Sequence, residues 1–148
     1  MGSLRIAVGS DHGGFEQKEQ IAKHLTAEGY EVTDFGCPST ESVDYPDYAA
    51  PVAQAVARGD ADFGILVCGT GIGMMLAANK VKGIRAANVT SVEFAHLARE
   101  HNNANVVTLS GRFVDPELNW QIVQEFLKTE FAGGRHERRV AKIMALEG

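Results

Sequence analysis

The stretch Phe63–Gly73 reads FGILVCGTGIG. Its first five residues, Phe63–Val67, form a nearly continuous apolar run, the pattern of a strand buried on both faces. Strands of that kind belong to parallel sheets with helices packed on either side. The six residues that follow, Cys68–Gly73, carry three glycines at alternate positions, which predicts a tight loop opening directly into a short helix, Met74–Val81, stopped by Gly83.

The same unit recurs in both directions along the chain. Leu4–Val8 is an apolar run ending in the loop GSDHGG (Gly9–Gly14), followed by an amphipathic helix, Phe15–Ala27, closed by Gly29. Tyr30–Phe35 is the second strand. Pro38 and Pro46 rule out regular structure through the polar loop after it, and Tyr48–Arg58 then reads as a helix. Arg85–Val89 is the fourth strand. Thr90 and Glu93 have capping-box spacing, which starts a helix running to about His101. Val106–Leu109 is the fifth strand. Asp115-Pro116 is an N-cap with proline at the first helical position, opening Glu117–Thr129. A last helix, Arg135–Leu146, follows Gly133-Gly134. The fold class is therefore α/β: a three-layer α/β/α sandwich with a doubly wound, five-stranded, Rossmann-like parallel sheet and a C-terminal helical tail.

The chain has 148 residues and 45% hydrophobic residues, as expected for one domain spanning 1–148. Its formal charge of -5 argues against nucleic acid as a partner. Cys37 and Cys68 are far apart and in no CxxC pattern, so neither a disulfide framework nor a metal site is expected, and the default compartment is reducing, hence cytoplasmic. No secretory signal is visible, and Ile6 stands where a myristoylated Gly2 would need Ser or Thr. No apolar run reaches the roughly 20 residues of a membrane span.

In doubly wound folds ligands sit outside the carboxyl ends of the strands. Three such ends carry titratable, glycine-flanked groups: Asp11 and His12 after the first strand, Cys68 after the third, Arg112 after the fifth. Each glycine taken alone is explained by turn formation; the four polar groups on one edge are not. The glycines of Cys68–Gly73 turn backbone N–H groups into one concavity, a nest for a phosphate or a developing oxyanion. Cys68 at its mouth, next to a helix start, has its thiolate stabilised and can serve as base or nucleophile, although a buried structural cysteine is the bland alternative. The spacing is not GxGxxG, and no P-loop is present.

Two further clusters stand out. Arg135 and Arg139 are four apart on the tail helix and can clamp a phosphate, or else form a solvated basic face paired with Glu137. His101-Asn102-Asn103 ends a helix before the fifth strand, where a histidine can be no more than a cap. By topology His101 lies at the sheet edge opposite Cys68, so its simplest route into the site is donation from a second copy, giving a two-fold homodimer with shared sites. Tyr45, in the long second loop, is a packing residue or a substrate contact.

Taken together, GSDHGG, DYPDYA, CGTGIG, AANK, GIRAA, HNNAN and GGRHERRV, in this order and spacing, resemble the type B ribose-5-phosphate isomerases over essentially the whole chain. Galactose-6-phosphate isomerase subunits share much of the pattern. The resemblance implies an intramolecular oxidoreductase that interconverts D-ribose 5-phosphate and D-ribulose 5-phosphate in the pentose phosphate pathway, without metal or cofactor. It implies that Cys68 moves the proton between C2 and C1, that Thr70 assists, and that the Gly69, Gly71, Ile72 and Gly73 amides cradle the enediolate. It implies that His101 opens the furanose ring and that Asp11 and Asn102 contact the sugar. His12, Arg112, Arg135 and Arg139 form the implied phosphate side, with His101, Asn102 and Arg112 supplied by the partner subunit. Some members of the wider family replace the cysteine by a glutamate on the following helix; the matching position here is Met74, which cannot act as a base.

Allose, galactose or tetrose phosphates remain open as substrates, as does pairing of dimers into tetramers. Two other classes also stay open: a Cys-His-Asn hydrolase built on Cys68, His101 and Asn102, which leaves the arginine pair unexplained, and a non-catalytic binder of phosphorylated metabolites.

Overall fold

The computed structural model describes residues 3–148; the expectation about Gly2 lies outside the described residues. Eleven elements follow one another among them: β1 (Arg5–Ser10), α1 (Phe15–Ala27), β2 (Glu31–Asp34), α2 (Pro46–Ala57), β3 (Phe63–Cys68), α3 (Ile72–Ala78), β4 (Ala86–Asn88), α4 (Val92–Glu100), β5 (Val106–Ser110), α5 (Pro116–Lys128) and α6 (Arg135–Ala145). The five strands are parallel, in the order β2-β1-β3-β5-β4. Val8 stands opposite Ile65, and Ile65 opposite Val107.

Alternation along the strands sorts the core into two halves. Val8, Ile65, Val67, Val107 and Leu109 face Ile21 and Leu25 of α1, Ala95 of α4 and Ile122 and Phe126 of α5. Ala7, Leu66, Cys68 and Val106 face Val52 and Val56 of α2 and Met74 and Ala78 of α3. Each fully buried aliphatic side chain contributes about 1.5–3 kcal/mol. Gly9 and Gly64 let α2 approach the sheet closely, since a Cβ on either would collide with Val52.

The element ends differ from the sequence reading in physically simple ways. Ser91 rather than Thr90 caps α4, accepting a hydrogen bond from the Phe94 amide at 3.1 Å. Pro46 does not interrupt structure but opens α2, at a position where no N–H is needed. Helix α3 begins two residues before Met74, at Ile72, because Gly71 in the left-handed region (φ 86°) redirects the chain at once. The tail helix α6 packs beside the turn before β4, where Glu147 accepts from the Gly83 amide at 2.8 Å. No helix among the described residues is long and apolar enough to cross a membrane.

Candidate active site

Strands β1, β3 and β5 are the three central strands of the sheet, so the loops after them lie side by side. Backbone bonds stitch them together: Asp11 N–H donates to the Val67 carbonyl at 3.2 Å, Gly111 N–H to that of Cys68 at 2.8 Å, and Arg112 N–H to that of Gly69 at 3.2 Å. Gly111 is obligatory here, because a side chain would run into the Gly13 carbonyl.

Cys68 ends β3 and is 5% exposed. Its Sγ accepts the Gly71 amide at 3.1 Å. Thr70 Oγ1 accepts from the Ile72 amide at 3.1 Å. Two amides of the glycine loop are thus engaged within the loop, one by buried Cys68 and one by exposed Thr70. The Tyr45 ring lies against Gly73. Met74 is fully buried and carries no acid or base. Asp11 Oδ1 accepts from the Gly13 and Gly14 amides at 2.9 and 3.2 Å, leaving one carboxylate oxygen for other partners. His12 Nδ1 accepts from the Val43 amide at 3.1 Å, which puts the ring proton on Nε2.

The Arg112 side chain lies over Gly69, and a groove of about 860 Å³ is lined by His12, Gly13, Gln17 and Arg112 of the same chain. Within one chain, then, Arg112 already stands beside the Cys68 loop. β5 is the direct sheet neighbour of β3, so the loop after β5 cannot avoid the Cys68 loop.

The second group gathers elsewhere. Helix α4 returns from the carboxyl edge of the sheet, so its end, His101, lies at the opposite edge from Cys68. His101 stacks on His136 of α6, with ring centroids 4.3 Å apart and planes 11° from parallel. Burial, and then the positive fields of His101, Arg135 and Arg139, push His136 below the ordinary imidazole range. Ala132 N–H donates to the Glu100 carbonyl at 3.0 Å and holds the approach to α6 against the end of α4. Asn102 lines a groove with Arg85 and Ile143. His101, Asn102, Arg135 and Arg139 therefore form one group, and Cys68, Thr70, Asp11, His12, Tyr45 and Arg112 another.

Several supporting residues escaped the sequence reading. Gln17 Nε2 donates to the Gly111 and Val114 carbonyls at 3.1 and 3.0 Å, and Asn119 Nδ2 to Gln17 Oε1 and the Ser110 carbonyl at 2.7 and 2.8 Å. This buried pair fixes the loop that carries Arg112. Polar residues at buried helix positions were the available signal, since such groups need dedicated partners. Buried Lys18 likewise donates to Asp34 at 2.9 and 3.0 Å and to the Cys37 carbonyl at 3.0 Å, bracing the start of the long second loop.

The comparisons with known proteins agree with this architecture. The model of the family described as Ribose/Galactose Isomerase matches residues 6–143. Ribose-5-phosphate isomerase B of Escherichia coli is 48% identical over 143 residues, covering 97% of this chain and 96% of that protein. The solved ribose-5-phosphate isomerase B of Clostridium thermocellum superposes with a TM-score of 0.96 at 52% identity, covering 97% of each chain. That of Mycoplasma genitalium with bound ribulose-5-phosphate superposes with a TM-score of 0.95 at 48% identity, covering 99% of this chain and 98% of the other. A match of this length, with relatives at about this level of identity, means that the chain belongs to the ribose/galactose isomerase family.

Proposed function

We propose that this protein interconverts D-ribose 5-phosphate and D-ribulose 5-phosphate, with Cys68 as the base. The observation that carries the reading is the Cys68 sulfur held by the Gly71 amide, next to a groove that presents His12 and Arg112. The relative solved with ribulose-5-phosphate supports the choice of sugar.

The chemistry divides into two parts. Ring opening takes the proton from the C1 hydroxyl, breaks the bond from C1 to the ring oxygen as the aldehyde forms, and returns a proton to that oxygen; His101 is the group suited to it. Cys68 then removes the C2 hydrogen as a proton, and the electron pair passes into an enediolate. The proton returns to C1, while a hydroxyl proton moves from O2 to O1, a transfer within reach of the Thr70 hydroxyl. Fixed amide dipoles stabilise the enediolate. The phosphate reacts with nothing; its binding to His12 and Arg112 holds C2 against the sulfur.

His101, Asn102, Arg135 and Arg139 enter the site from a second chain in this reading, giving a homodimer with two shared sites. Exposed Ile72, Leu76, Phe94 and Ile143 supply apolar surface for such an interface. Residues 1–148 act as one domain, since both core halves flank a single sheet. The cytoplasm is the compartment that suits two unpaired thiols.

The test is ketose formation from a panel of phosphorylated aldoses. Ribose 5-phosphate should give the highest kcat/KM. Preference for allose 6-phosphate, galactose 6-phosphate or a tetrose phosphate would reassign the substrate, and no ketose from any of them would reject isomerisation.

A further inference from the structure

Glu100 touches no proposed substrate group, yet it sits at the junction of three histidines. Its Oε1 is 3.4 Å from His101 Nε2, and its Oε2 is 2.9 Å from His96 Nε2. His96 Nδ1 lies 2.8 Å from Glu125 Oε2, which also accepts from Thr129 Oγ1 at 3.0 Å. The carboxylate of Glu100 is thus anchored from behind, through α4 to α5. His136 covers one face of the His101 ring.

The backbone under His101 is held just as firmly. Arg99 donates to Asn103 Oδ1 at 2.8 Å and to the Ala104 carbonyl at 2.7 Å, while Arg85 Nε donates to the Asn103 carbonyl at 2.8 Å. Asn103 itself adopts a positive φ of 48°. These contacts fix the turn but not the His101 side chain, which is 41% exposed and has two free torsions. Adjacent residues on a helix do not ordinarily face each other; Glu100 and His101 meet because the helix ends between them.

We propose that Glu100 is a positioning residue for His101: anchored by His96, its carboxylate faces Nε2 at ion-pair distance and, with His136 on one face of the ring, orients it so that Nδ1 is presented to the ring oxygen of the sugar in the partner's site. The proposal rests on the reading of His101 as the ring-opening group. A carboxylate behind a working imidazole selects its tautomer and orientation, and loss of such a partner typically costs 10–100-fold or more. The neutral state of His136, which its surroundings favour, lets the two rings stack without repulsion.

The experiment is Glu100→Gln in the full-length protein, with two readouts. The first is kcat and KM for ribose 5-phosphate. The second is deuterium wash-in at C1 of ribulose 5-phosphate, which needs Cys68 but no ring step, because the ketose is acyclic. The expected result is a kcat lowered about tenfold or more with little change in KM, and wash-in unchanged. An unaltered kcat, or wash-in falling by the same factor, overturns the proposal. A wild-type protein that converts no ribose 5-phosphate would instead remove the underlying reading of the site.

Discussion

The backbone amide of Gly71 donates to the sulfur of Cys68 at 3.1 Å. The contact exists because Gly71 occupies the left-handed region, at φ 86°, where its N–H points back toward the end of β3. A side chain at this position would be strained and would strike Asn88 and the Leu109 carbonyl. Gly71→Ala is therefore expected to cost about 1–2 kcal/mol from backbone strain alone, with added loss from the clash. Thermal unfolding should show a midpoint several degrees lower, and steady-state assays a turnover below wild type even well under that midpoint.

The division of the polar residues into two groups predicts intersubunit complementation. Cys68→Ser and His101→Asn should each be nearly inactive alone. If each site takes one residue from either chain, half of the dimers in a re-equilibrated equal mixture carry one intact site, and activity should recover to about a quarter of wild type. Mixing after partial denaturation and refolding measures this directly; no recovery would place both residues in the site of a single chain.

Stability should depend on pH through His96. Hydrogen bonds to Glu125 and then Glu100 raise its pKa, and the His96 bond lowers that of Glu125. A raised histidine stabilises the fold below its unfolded pKa and loses that contribution as pH rises through the folded value. For Glu125 the sign is opposite: its contribution is present above its unfolded pKa and fades as pH falls through the lowered one. His96→Gln should thus lower the melting temperature most in mildly acidic buffer and leave it nearly unchanged in alkaline buffer. A penalty that grew with pH would contradict the pairing.

Much of this site was legible because glycine and apolar residues punctuate the chain so regularly. FGILV could only be an inner strand, and placing it fixed Cys68 at the carboxyl edge with Asp11 and His12. The opposite placement of His101 followed from helix direction alone. The resemblance attached Arg112 to the partner and said nothing of its place in its own chain, where adjacency of β5 and β3 brings it to Gly69. That adjacency is a property of strand order, which local sequence does not encode. Gln17, Asn119 and Glu100 were passed over for a related reason. The partners of Gln17 and Asn119 lie 102, 97, 94 or 9 residues away, and nothing in their immediate neighbours announces a tertiary hydrogen bond; the Glu100 carboxylate meets His96 and His101, and the contact with His101 depends on where α4 stops.

The measurement that bears most directly on the account is the turnover of Cys68→Ser with ribose 5-phosphate. A serine hydroxyl can still accept from the Gly71 amide, but it is a far weaker base than a thiolate. The expected result is a kcat at least ~10²-fold lower, the low end of what a general base supplies, while competitive inhibition by inorganic phosphate is retained. Near-normal turnover in the serine variant would show that the proton is moved by some other group.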